Sequence, residues 1–357
     1  MRSGFLLFIL LFLLLPVSSA GAPEKKGTPV PAQSGATVLI YHRFGEDKYP
    51  TTNIGVERFR EQLEYLKSND YTVISLEKLL GSLAKDEPLP PRSVILTMDD
   101  GYRSVYEKAW PLLREYGYPF SVFLYVQATE KRHWDYMTWE QVREMQAAGV
   151  DFQNHGFSHD HMAFIPAGME DREYRAWIRA DLGVSTRILS EELQVRPRFY
   201  AVPYGEYNEA LLDEVRAFGY EGIFLQDPGS VSSDTDPFAI PREPILGKDW
   251  STMEHFQTVL ERVDMPLGAR IPRAGRLADT KPEKFEAKLL YPERYVPGTV
   301  GIYVSELGWQ QAEVSGDGIA VVANSTSLSR RINRVAVSGR EKESGRTAIR
   351  FWMIIGE

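Results

Sequence analysis

A chain of 357 residues with 43% hydrophobic and 12% aromatic content can bury a substantial core and has room for more than one domain. Its formal net charge of −8 argues against a general nucleic-acid binder, and no nucleic-acid partner is expected. With no cysteine in the sequence, disulfides, thiolate nucleophiles and thiolate metal sites are excluded, so any metal must be held by histidine and carboxylate.

The N-terminus begins with Arg2, an unbroken apolar run over residues 5–15, Pro16 and then small residues. That layout predicts a secretory signal peptide over residues 1–20 and places the protein in a secreted, periplasmic or cell-envelope setting. The alternative is an uncleaved segment acting as a membrane tether, although the run is shorter than the roughly 20 residues of a membrane span. Residues 21–36, rich in Gly, Pro and Ala, read as a linker.

From residue 37 onward, apolar strand-like runs alternate with helical patterns. "ATVLIYH", "SVILTMDDG", "PFSVFLYV", "VDFQNH", "PRFYAVPYG" and "YEGIFLQ" read as strands. "VERFREQLEYLKSN", "SVYEKAWPLLREYGY", "TWEQVREMQAAG", residues 170–194 and "YNEALLDEVRAFG" read as helices, with Thr138 as a cap and Gly117 and Gly149 as stops. This alternation predicts an α/β domain over 37–265 with parallel strands and crossover helices. The number of units favours an incomplete or distorted (β/α) barrel over an open sheet. Residues 266–285 read as a turn-rich connector. Residues 286–357, with short alternating segments between Gly, Ser, Asn and Asp, predict a small all-β, sandwich-like domain.

The polar residues collect at the C-terminal ends of the expected strands. His42 ends the first, Asp99 and Asp100 end "VILTM", His155 and His159 follow "VDFQ", and Pro203, Tyr204 and Gly205 follow "RFYAV". Each group alone has an ordinary reading: a turn, a solvated loop, a buried histidine. Four groups at one end of a β/α barrel point to a single pocket, because that face is where such folds build active sites. Two imidazoles and a carboxylate leave an open position on a divalent metal. A second carboxylate can take a proton from water, and a histidine opposite can protonate a leaving amine. This is equipment for metal-assisted hydrolysis of an amide or ester.

"TMDDG" at 97–101, "NHGFSH" at 154–159 and "AVPYG" at 201–205 follow in the order of three motifs of the polysaccharide deacetylase family, which the chain resembles over roughly residues 37–250. The resemblance implies Asp100, His155 and His159 as ligands of a divalent metal, most fittingly Zn2+. It implies Asp99 as the general base and the backbone N–H of Tyr204 as an oxyanion donor. His161 is the spare imidazole of the cluster and, on local spacing, the alternative to His159 as second histidine ligand. Two departures stand out. Ala201 occupies the place where many members carry an arginine that pairs with the base aspartate, and Arg242 of "IPREP" is the candidate substitute. No late Leu-x-His motif follows residue 205, and His255 lies in a helix-like stretch. "VLIYHRF" at 38–44 instead resembles that strand moved to the front, the circularly permuted order of the biofilm poly-N-acetylglucosamine deacetylases. This makes His42 the candidate general acid. The expected partner is an N-acetylglucosamine polymer, with poly-N-acetylglucosamine ahead of peptidoglycan and chitin. A catalytically silent glycan-binding protein is the alternative.

Overall fold

Every residue of Ala36–Tyr41 (β1) is buried, as expected of a central strand covered on both faces. The structure, a computed structural model, describes residues 35–85 and 87–356. The expected signal peptide and most of the linker lie outside the described residues. After β1 come β2 (Arg43–Phe44), β3 (Asn53–Ile54), β4 (Thr72–Val73), β5 (Ser93–Asp100), β6 (Ser121–Leu124), β7 (Asp151–Asn154), β8 (Phe199–Ala201), β9 (Gly222–Phe224) and β10 (Glu243–Pro244). β2 and β3 pair only with each other. The rest form one parallel sheet in the order β10-β1-β5-β6-β7-β8-β9, with β4 against the start of β5. A bridge from Phe224 to Ile240 carries the far edge back toward β10, so the sheet curls into the distorted (β/α) barrel that the sequence predicts.

The crossovers are helical: α1 (Val56–Ser68), α2 (Leu76–Lys85), α3 (Trp110–Tyr116), α4 (Val126–Glu130), α5 (Trp139–Ala147), α6 (Asp171–Leu193) and α7 (Glu209–Ala217), with α8 (Met253–Leu260) after β10. α1 buries Phe59, Leu63 and Leu66, one stripe at helical spacing. α5 starts at a Thr138–Gln141 capping box, and α3 stops at Gly117 with φ of 65°. A π-helical turn, Val105–Ala109, precedes α3.

Strand alternation divides the apolar side chains into two layers. Val38, Ile95, Phe123, Ala201, Phe224 and Ile240 share the interior cluster. Leu39, Tyr41, Leu96, Met98 and Leu124 face the other way, among residues of α1, α3 and α5. By the same parity Thr97 and Asp99 point inward. β1 and β5 run in register, Ile40 opposite Thr97. Two residues further on, His42 falls level with Asp99.

The C-terminal region contributes β11 (Val263–Asp264), β12 (Leu267–Ile271), β13 (Gly275–Arg276), β14 (Lys284–Leu289), β15 (Gly301–Val304), β16 (Gly308–Gln311), β17 (Glu313–Val314), β18 (Ile319–Ala323), β19 (Ile332–Arg340) and β20 (Thr347–Ile355). One sheet runs β11-β20-β19-β15-β16 with β13 also on β20; the other runs β12-β14-β18-β17. They enclose Phe285, Leu289, Ile302, Val304, Val335 and Trp352, which is a sandwich core. Residues 266–285, read from sequence as a connector, supply β12, β13 and the first residues of β14. β12 is half-exposed and interrupted by a bulge, so its apolar alternation is weak. Met353 and Ile355 of β20 pack with Tyr174 and Ile178 of α6 and with Leu211 of α7, which seats the sandwich on the barrel's helices. Arg334 pairs with Asp227 across this junction.

Candidate active site

β5 delivers both aspartates to the mouth of the barrel. Asp99, fully buried, continues the inward layer. Simple alternation would turn Asp100 outward, but its φ of 70° breaks the strand geometry there. Asp100 Oδ1 lies 3.5 Å from His155 Nε2 and 3.1 Å from His159 Nε2. A left-handed non-glycine residue costs about 1–3 kcal/mol, and such residues gather at sites whose geometry the surroundings enforce. His159 (φ 54°) and Tyr204 (φ 58°) are in the same region.

The histidines sit on a turn that is pinned from behind. His155 directly follows β7, and its Nδ1 lies 2.8 Å from the Ala201 carbonyl oxygen. That oxygen can only accept, so Nδ1 carries the proton and Nε2 presents a lone pair to the pocket. Asn154 accepts from Gly156 N–H at 2.8 Å and donates to Ser185 Oγ. Asp181 of α6 accepts from the N–H groups of Phe157 and Ser158 and from Ser158 Oγ, all at 2.7–2.8 Å. Gly156 needs its φ of 83° for the turn, and a Cβ there would come within 3.2 Å of Asp181 Oδ1.

Asp100, His155 and His159 each offer a ligand atom, and these atoms lie within 4.8 Å of one another. Asp100 Oδ1 and His155 Nε2 are buried without a hydrogen-bond partner. Orphaned buried acceptors are costly, and a cation between them satisfies both. The donor set, two nitrogens and one oxygen, fits a divalent metal of zinc type with an open position. Burial pushes the His155 imidazole down to about 4, so it is neutral and ligand-competent near pH 7. His159 moves the other way: burial opposes its charge, but the Asp100 carboxylate outweighs it and raises the pKa. Burial would raise Asp100, yet His159 and the other imidazoles hold it far below the usual carboxylate range. Asp99 is likewise held low, with Arg242 and His155 overcoming its burial.

Residues 86–223 match the sequence model of a family described as polysaccharide deacetylase. The chain carries a polysaccharide deacetylase domain. The matched segment is thus of a deacetylase family. The chain is 26% identical over 246 residues to the poly-beta-1,6-N-acetyl-D-glucosamine N-deacetylase of Escherichia coli strain K12, a match spanning 58% of this chain and 36% of that protein. The Staphylococcus aureus protein of the same name is 23% identical over 288 residues, covering 74% of this chain and 97% of its own length. Among solved structures, IcaB from Ammonifex degensii superposes with a TM-score of 0.54 at 26% identity, over 64% of this chain and 96% of that one.

Within the deacetylase domain, the structure brings Asp99, Asp100, His155, His159 and Tyr204 together. His42 joins them from outside the matched segment, 92% buried with Nδ1 unpartnered. His161 does not join the cluster. Its ring stacks on Tyr204 at 3.9 Å between centroids, and its Nδ1 meets Glu206 Oε2 at 2.6 Å. His255 lies on α8, against Trp250. Arg242, the candidate substitute for the arginine absent at Ala201, also lies outside the matched segment and pairs with Asp99. Its Nη1 and Nη2 donate to the two Asp99 oxygens at 2.8 Å each, its Nε donates to the Leu225 carbonyl, and its Nη1 also reaches Thr97 Oγ1. Sequence reasoning missed Asp181, Ser185 and Tyr125, whose ring centroid is 5.1 Å from that of His159. Asp181 lies inside a long helix with no motif around it. The only signal it offered was a carboxylate on a helix face otherwise lined by Ile178, Leu182 and Ser185.

Proposed function

We propose that this protein is a metal-dependent N-deacetylase of an N-acetylglucosamine polymer, with the β-1,6-linked polymer as the favoured substrate, working in the cell envelope or outside the cell. The observation that carries the reading is the Asp100, His155, His159 donor set beside a second, separately anchored carboxylate, Asp99. The names of the Escherichia coli and Staphylococcus aureus relatives support the choice of substrate.

Asp100, His155 and His159 would hold the metal. When bound, a zinc-type ion supplies Lewis-acid chemistry, polarising an amide carbonyl and making water more acidic. The chain's own residues then divide the proton work. Asp99, ionised and fixed by the two-pronged Arg242 contact, accepts the proton of the attacking water. The Tyr204 backbone N–H, presented by the turn at Pro203–Gly205, donates to the oxygen that becomes negatively charged at the tetrahedral carbon. His42, just past the end of the neighbouring strand β1 and level with Asp99, gives a proton to the departing glucosamine nitrogen. The C–N bond breaks, and acetate and a free amine result.

A panel of substrates tests the reading: β-1,6- and β-1,4-linked N-acetylglucosamine oligomers and peptidoglycan fragments, with released acetate and new free amines both measured. The proposal expects one amine per acetate and the fastest turnover on the β-1,6 oligomers. Release from none of them, by protein shown to contain metal, would leave a glycan-binding role instead.

A further inference from the structure

A second cleft, of about 520 Å³, lies away from the metal-type site, where the sandwich meets the barrel. Tyr207, Phe238 and Phe351 form apolar walls, and Arg270, Asp236 and Arg350 put charge into it. Its size falls in the roughly 300–1,000 Å³ range of small-ligand sites.

Arg270, on β12, is the group that needs explaining. Arg43, Arg242, Arg334 and Arg350 each have a carboxylate partner. The Arg270 side chain makes no hydrogen bond or ion pair among the described residues; its guanidinium lies 5.6 Å from the Trp352 ring centroid. Burial pushes its pKa down and neighbouring Arg350 adds to this, while Tyr207 and Asp236 oppose it. Three of the carboxylates lining the cleft are engaged elsewhere. Asp227 accepts from Tyr207 and pairs with Arg334. Asp236 accepts from Phe238 N–H and faces Arg216 at 3.7 Å. Asp234 accepts from Tyr291. A half-buried guanidinium with no hydrogen bond or ion pair of its own favours an incoming anion, and its planar fork matches a carboxylate or phosphate group. The acids around the cleft disfavour a polyanion but accept hydroxyl donors, and the aromatic walls suit the C–H faces of a sugar ring.

We propose that this cleft binds a saccharide bearing one anionic group, a carboxylate or a phosphate, with Arg270 as its receptor. The site is separate from the deacetylase centre and does not depend on how that centre works.

Calorimetric titration of the full chain tests this, with glucuronate, glucose 6-phosphate, inorganic phosphate and neutral glucose as probes. The proposal expects an anionic sugar to bind and neutral glucose not to. Arg270→Gln and, independently, the cleft-filling Ala269→Trp should each weaken binding at least tenfold while thermal unfolding and acetate release stay unchanged. Glucuronate alone binding identifies the carboxylate source, and glucose 6-phosphate alone the phosphate. No binding by either sugar, equal binding of neutral glucose, inorganic phosphate binding as tightly as its sugar ester, or unchanged binding in both variants would each overturn it.

Discussion

Arg242 and Asp99, 143 residues apart in the chain, meet through two parallel N–H···O contacts of 2.8 Å with both side chains fully buried. The arginine comes from the segment entering β10 and the aspartate from β5, so β1 lies between their strands. On the reading of Asp99 as the base, this contact stands in for the arginine absent at Ala201.

Arg242→Ala should therefore do two things. Breaking a buried pair leaves an uncompensated carboxylate and destabilises the fold by about 3–5 kcal/mol. It also removes the main charge that holds Asp99 low, so burial then raises the Asp99 pKa. The acid limb of the kcat/KM profile should move to higher pH, with a loss of about 100-fold or more at neutral pH. Arg242→Lys keeps the charge but not the fork and should fall between. Unchanged activity and profile in Arg242→Ala would remove the assignment.

His42→Asn should leave bound metal intact while slowing acetate release by about 10²–10⁴-fold, the usual scale for losing a general acid. Metal content and turnover measured on the same preparation separate this from loss of a ligand. Equal loss of metal would make His42 part of the donor set instead.

Asp181→Ala touches none of the donor atoms. It removes the acceptor for Phe157 N–H, Ser158 N–H and Ser158 Oγ, freeing the turn that carries His159. Metal affinity should weaken by about 10–100-fold. Competition with a chelator of known affinity measures it, and wild-type retention would show that the turn holds without Asp181.

The metal-free protein should lose stability in mild acid. His155 and His255 are both pushed down to about 4 by burial, from an ordinary value of 6.5. Between those values the unfolded chain takes up a proton at each imidazole that the folded chain refuses, so stability falls as pH drops from 6.5 toward 4. Each contributes on the order of 2–3 kcal/mol. His255→Gln, remote from the donor set, should flatten the slope of urea midpoint against pH; an unaltered slope would contradict the account.

The candidate site groups were legible in the sequence because strand ends announce themselves. An apolar run followed by Asp99 and Asp100, or by His155 and His159, fixes both the strand and the face on which the polar residues emerge. The support behind them was harder to read. Arg242 could be named only as a candidate, since the return of the far edge through Phe224 and Ile240 is a tertiary event. Asp181 and Ser185 were invisible for the same reason: their partners are backbone and side chains of a distant turn. Residues 266–285 misled because Gly, Pro and Arg mask the alternation of edge strands. His161 shared the spacing of a ligand, yet stacking on Tyr204 and pairing with Glu206 draw it off the pocket.

The central claim is that Asp100, His155 and His159 hold a metal required for N-deacetylation. The most direct test is acetate release from N-acetylglucosamine oligomers by wild type and Asp100→Ala, each assayed as purified, after chelation and after zinc add-back. The account predicts release by wild type that disappears with chelator, returns with zinc, and is absent from Asp100→Ala throughout. Release that persists in fully chelated wild type, or in Asp100→Ala, would contradict it.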